Sequence, residues 1–251
     1  MLNIRWFILN SFKKLLLLLA LMIFVGTNAF ANQDQKELEL PTWQTDTANY
    51  NLNESWFHKT WHYLKENHDP YLYPWSVMLY EGWMTDSNVA LVITSSKTKF
   101  KYGTITQLEG AYQLPVDNWL RRIFQPFVST VNLAASMTLR ADPVGTIVEF
   151  EPYILLKWEH FPWDKYVLTS LGFGEGVSYV SKVPYREIYD STNCNAKRFL
   201  NYLQFEVALG APKIPNWRFV VAIHHRSGAY GLYGAGNVSS NVLGFGLRYF
   251  F

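Results

Sequence analysis

The chain has 251 residues, with 22 Lys or Arg against 20 Asp or Glu, a formal charge of +2 at neutral pH. So balanced a composition leaves no basic surplus for holding a nucleic acid. The single cysteine, Cys194, excludes an internal disulfide and reads as a bystander in a loop.

Arg5, Lys13 and Lys14 precede an unbroken apolar run from Leu15 to Val25, followed by Ala29-Phe-Ala31. A basic start, an apolar middle and an A-x-A end predict a secretory signal over residues 1–31. The run is too short for a helical span, which needs about 20 apolar residues. Cleavage would remove three basic residues and no acidic one, taking the charge from +2 to −1. No cysteine follows the expected cleavage site, so no lipoprotein anchor is expected. Residues 32–74 are polar and unperiodic, except that Ser55–Asn67 suits a short amphipathic helix with Ser55 as its N-cap. Pro70 and Pro74 would end it. His58 and His62 share a face of that helix, but two ligands without a third make no metal site. No metal and no cofactor are expected.

From Trp75 onward the chain reads as a barrel domain, residues 75–251. Strands are expected at about 75–84, 101–114, 127–140, 145–159, 165–179, 198–210, 216–228 and 241–251, with residues 88–95 as a further candidate. The last segment, Asn241-Val-Leu-Gly-Phe-Gly-Leu-Arg-Tyr-Phe-Phe251, decides the class. Leu243, Phe245, Leu247, Tyr249 and Phe251 fall on one face of an extended strand, and Val242, Gly244, Gly246, Arg248 and Phe250 on the other. An apolar row ending in Phe closes outer-membrane barrels. The expected fold is therefore all-β, an antiparallel transmembrane β-barrel with a short N-terminal amphipathic helix, integral to the outer membrane. Barrels of this kind carry even strand numbers. Eight fits the map best, and ten or twelve stay open. The aromatic share, 17% of residues, suits girdles at the two membrane interfaces. Expected partners are outer-membrane lipids and the barrel assembly machinery. Glu149, Glu151, Lys157, Glu206, Arg218, His224, Arg226 and Arg248 oppose the apolar rows and should fill the lumen with ion pairs.

The segment Asn216–Gly228 carries the candidate chemistry. Phe219, Val221, Ile223, His225 and Ser227 share the lipid row, which puts a histidine and a serine at its outward end. A serine can attack a carbonyl carbon while a histidine takes its proton and a third group orients the ring. The bland alternative is a polar rim at the top of the strand, on a non-catalytic structural or adhesion barrel.

This stretch resembles the outer-membrane lipid A 3-O-deacylase (PagL) family, which carries an H-x-S-N motif on an outward-running strand before the last one. Pro152-Tyr-Ile-Leu-Leu-Lys-Trp-Glu159, Gly172-Phe-Gly-Glu-Gly-Val-Ser-Tyr179 and Phe199-Leu-Asn-Tyr-Leu-Gln-Phe-Glu206 extend the likeness over residues 145–251. The resemblance implies an eight-stranded barrel acting on lipopolysaccharide, with Ser227 as nucleophile and His225 as general base. Two positions depart from the pattern. The asparagine after the serine is Gly228, and no Asp or Glu lies between Gly228 and Val242 to serve as the acidic third member. Ser239, Ser240 and Asn241 stand at the matching spacing, and Glu175, in an apolar row of another strand, is a further candidate third member. Backbone amides of Gly228 and Ala229 are the expected oxyanion donors. A second family, the lipid A palmitoyltransferases, shares a helix before the barrel, an early histidine and an Asp-Ser pair, for which this chain offers His58, His62, Asp86 and Ser87.

Overall fold

A computed structural model describes residues 73–86, 98–189, 195–235 and 238–251 of the chain. Eight antiparallel strands form a closed barrel: β1 (Trp75–Thr85), β2 (Phe100–Gln113), β3 (Thr130–Asp142), β4 (Gly145–Trp158), β5 (Leu168–Val180), β6 (Phe199–Gly210), β7 (Trp217–Ser227) and β8 (Ser239–Phe250). Each strand pairs with the next, and β8 returns to β1 in register from Ser76 opposite Phe250 to Thr85 opposite Asn241. Closure leaves no strand edge unpaired, the condition for carrying a backbone through hydrocarbon. The candidate helix at Ser55–Asn67, the signal, and the candidate strand 88–95 lie outside the described residues, as do His58, His62, Ser87 and Cys194.

Alternation sorts the side chains into two environments. Outward rows expose Leu108, Leu133, Met137, Val148, Leu171, Val207 and Val221, each more than two fifths accessible. At the end where β2 meets β3 and β6 meets β7 this sleeve terminates in aromatics: Trp75 packs on Tyr112, Trp217 on Tyr249, and Tyr249 on Phe251. Such a surface suits lipid, with rings at the headgroup level. The chain is an integral β-barrel of the outer membrane.

Inward rows are charged and filled. Arg140, Arg226, Arg248, Lys157 and His224 are fully buried. Arg248 binds Glu109 at 2.7 Å and Glu206 as well, and Arg140 grips Glu149. Glu109 also accepts from Tyr153, and Gln204 bridges Glu109 and Glu206 at 3.2 and 2.8 Å. The lumen is a packed polar core, as a narrow barrel requires. Arg218 is the exception among the expected lumen charges. It is half-buried at the barrel end, donating to the carbonyls of Pro215 and Trp217 and lying over the Phe250 ring.

The structure departs from the sequence reading in several places, and β3 is one of them, beginning at Thr130 rather than 127. The segment between β2 and β3 is not a plain linker, because it holds α1 (Trp119–Phe124), capped by the Asn118 side chain accepting from the Leu120 amide at 2.9 Å. Six residues are too few to show a helical period. β5 begins at Leu168 rather than 165, since Asp164 accepts from the amides of Phe161 and Thr169 and folds the preceding residues into a turn. β8 begins two residues earlier than expected, at Ser239, and so brings Ser239 and Ser240 into the sheet.

The β1–β8 seam depends on a backbone approach. Gly244 faces Gly82, and a Cβ at residue 244 would stand 2.1 Å from the Glu81 carbonyl oxygen. Backbone on both sides cannot yield as a side-chain tip would. Gly244→Val is therefore expected to abolish the folded, heat-modifiable band in outer-membrane preparations, and a normal band would show that the seam opens freely.

Candidate active site

The site sits on the outside of β5 to β8, at the end where β7 turns into β8. On β7, Val220, Ala222, His224 and Arg226 are buried inward, while Phe219, Val221, Ile223, His225 and Ser227 form the outward row. Phe219 and Val221 are exposed to the surroundings, whereas His225 and Ser227 are half-buried by neighbours on β6 and β8.

His225 lies directly opposite Asn241 of β8, and its Nδ1 is 2.5 Å from the Asn241 Oδ1. An amide oxygen only accepts, so this bond places the imidazole proton on Nδ1 and leaves the Nε2 lone pair as a base. Asn241 is itself buried. Of the residues at the family's third position, Asn241 is the one that reaches the ring. Ser239 is exposed and lies across from Ser227, and the Ser240 side chain points inward. Glu175 is level with His225, but Leu203 of β6 stands between them in the register. Two strand spacings, about 10 Å, separate the two chains. Glu175 is no partner of His225.

No hydrogen bond joins Ser227 to His225 among the described residues. The expected backbone donors also divide. The Gly228 amide is spent on the Val238 carbonyl at 2.9 Å. The Ala229 amide opens a 3-10 turn, Ala229–Gly231, and has no partner among the described residues. Ala229 takes a left-handed φ of 44°, which points the chain sharply away after Ser227.

One residue escaped the sequence reading. Asn201 of β6 lies across from Ser227 on one side and Val177 on the other, in the outward row with Phe199, Leu203 and Phe205. It is 8% exposed although its row faces outward. The Tyr233 hydroxyl donates to its Oδ1 at 3.3 Å, and Glu175 of β5 lies diagonally across from it, next to Val177 in the outward row. The signal was available: an asparagine interrupting an apolar row, as His225 and Ser227 interrupt theirs. Glu175, Asn201, Ser227, His225 and Asn241 thus form one polar band crossing four strands on an otherwise apolar wall.

The inner side of the same strands is clamped. Arg226, between His225 and Ser227, pairs with Glu187 of α2 (Tyr185–Tyr189) and donates to the carbonyls of Lys197 and Arg198 at 2.9 and 2.6 Å. Glu187 also accepts from Ser240, the neighbour of Asn241, at 3.0 Å.

A second constellation lies in the lumen. Ligand atoms of Glu149, Glu151 and His224 fall within 4.8 Å of one another. Glu149 is held by two of the Arg140 nitrogens, Nε and Nη2, and Glu151 accepts from Ser136 and Thr138, so the group belongs to the salt-bridged interior. Asp86, the acid of the alternative family pattern, is bound to Lys101 and Arg186, each at 3.4 Å.

No protein-family model and no curated protein matches the sequence. Among solved structures the barrel is similar to the outer membrane enzyme PagL, at 13% identity and a TM-score of 0.46, covering 69% of this chain and 98% of that one. It is similar to Neisserial surface protein A at 11% identity and a TM-score of 0.41, covering 71% and 97%. It also resembles Ail of Yersinia pestis at 14% identity and a TM-score of 0.33, covering 72% and 100%.

Proposed function

We propose that this chain is an outer-membrane esterase that removes an ester-linked acyl chain from the lipid A of lipopolysaccharide. The observation that carries the reading is the Asn241-oriented imidazole of His225 beside Ser227 on a wall facing lipid. Only a substrate that is itself part of the membrane presents a carbonyl there. Ser227 Oγ attacks the ester carbon while His225 Nε2 takes its proton. The tetrahedral adduct expels the sugar oxygen, which receives that proton, and leaves an acyl-serine. Water, deprotonated by the same nitrogen, then releases the fatty acid and restores Ser227. The loop-rich end of β7 is read as the external end, which sets the site at the outer leaflet, where lipopolysaccharide lies.

Mass spectrometry of lipid A from cells with and without the chain tests this. The expected result is loss of one ester-linked acyl chain, with the matching fatty acid released. Identical spectra would leave the non-catalytic structural or adhesion barrel, the reading favoured by the missing Ser227–His225 hydrogen bond. Catalytic hydrogen bonds often tighten only with substrate in place, so that absence weighs little against the enzyme.

Asn241 gives a sharper expectation. Asn241→Leu frees the imidazole to turn and to exchange its tautomer, and should lower kcat by about 10²-fold. Asn241→Asp adds a charge that stabilises the imidazolium and should raise kcat above that of the wild type. Initial rates of fatty-acid release in detergent micelles measure both, and equal rates for the two variants would remove Asn241 from the mechanism.

A further inference from the structure

We infer that Asn201 is a side-chain donor to the oxyanion and that Glu175 and Tyr233 are the residues positioning its amide; the inference rests on the ester-hydrolase reading above. A tetrahedral adduct on Ser227 needs donors about 2.7–3.1 Å from its oxygen. Gly228 has no amide proton to give, because Val238 holds it. The Ala229 amide, without a partner among the described residues, supplies one donor at most. Directly opposed residues on paired strands have Cβ atoms about 4.5–5.5 Å apart, and Asn201 is the residue opposed to Ser227 on the β6 side. On the β8 side stands Ser239, exposed and without an amide.

The surroundings of Asn201 fix which way its amide faces. Tyr233, packed on Phe199, donates to Oδ1, so the oxygen end of the amide is already occupied. Glu175, diagonally across the β5–β6 pair from Asn201, offers its carboxylate to one of the two amide protons. The other remains for a ligand on the Ser227 side. A carboxylate holding one N–H and a hydroxyl holding the oxygen fix the rotation of the amide, so the second N–H is aimed before substrate arrives. This also accounts for Glu175: a glutamate on a lipid-facing row is expensive, and it stands too far from His225 to serve there.

The experiment is a steady-state comparison in detergent micelles, with purified lipid A as substrate and fatty-acid release as readout, on wild type, Ser227→Ala, Asn201→Asp, Asn201→Leu and Glu175→Gln. Unheated gel mobility identifies the variants that are folded barrels. Asn201→Asp keeps the shape and loses the donor, so its kcat should fall by about 10²–10³-fold, with KM within about threefold of wild type. Asn201→Leu, similar in volume and without any donor, guards against a folding defect in the charged variant and should show the same split. Glu175→Gln, which touches the site only through Asn201, should lose about tenfold in kcat. A wild-type kcat retained by folded Asn201 variants, or a loss confined to KM as a headgroup contact would give, overturns the inference while leaving the esterase reading intact. A wild type no faster than Ser227→Ala overturns that reading and the inference with it.

Discussion

Replacing Ser227 by Ala is expected to slow fatty-acid release by about 10⁴-fold or more while leaving the barrel folded. The substitution removes the atom that becomes acylated, and among the described residues no other hydroxyl stands on the β7 row beside His225. Ser239 is the neighbour across the pair, but its row position sets it opposite Ser227 rather than His225. The folding cost should be small. Ser227 is at the end of β7, it is half-buried, and its hydroxyl makes no hydrogen bond to His225 that the substitution would break. His225→Gln should fall to a similar level, since nucleophile and base act as one unit, and the double variant should be little worse than either single one. His224→Gln should not share the loss, because that ring is buried in the lumen against Tyr202 and Glu149. Rates within tenfold of wild type for Ser227→Ala, measured on the folded fraction, would end the serine mechanism.

Glu187→Ala should produce the largest loss of stability of any change outside the strands. Glu187 is fully buried, and its partner Arg226 is buried equally deep. Deleting one member strands the other charge without water, at about 3–5 kcal/mol for a buried pair. Because Arg226 lies between His225 and Ser227, and Ser240 beside Asn241 also loses its acceptor, the damage should extend to the site as a lowered kcat in the folded fraction. Glu187→Ala/Arg226→Met removes both charges and should recover most of the lost stability, since the penalty is the unpaired cation rather than the missing bond. Urea titration followed by unheated gel mobility compares both variants with wild type, and fatty-acid release by the folded fraction reports the kcat. Equal losses in the single and double variants would show that α2 is held by something other than this pair.

The barrel was legible in the sequence because a lipid sleeve and a polar lumen force a strict period of two over strands of 11–14 residues. The rows of β7 and β8 alone decide the direction of each side chain, and with it the outward aim of His225 and Ser227. What alternation cannot supply is register. Whether Ser239, Asn241 or Glu175 meets His225 depends on which residues pair across strands, a tertiary fact that sets Asn241 against the imidazole and leaves Glu175 diagonally across from Asn201. The Gly228 amide was misjudged for a related reason: the hairpin closes one pair beyond the end of β7, and the closing bond consumes that proton. α1 and the Asp164 turn were hidden because such short elements leave no period to read.

The sequence His225-Arg-Ser227 is divided between two solvents, with its outer residues in lipid and its middle one in the ion-paired lumen. A single residue inserted or deleted within β7 would exchange them, burying histidine and serine and pushing Arg226 into hydrocarbon. Loops at the same end can lengthen or shorten without that inversion. Length variation in descendants of this chain should therefore be confined to the connections, with the span from Trp217 to Ser227 fixed at eleven residues.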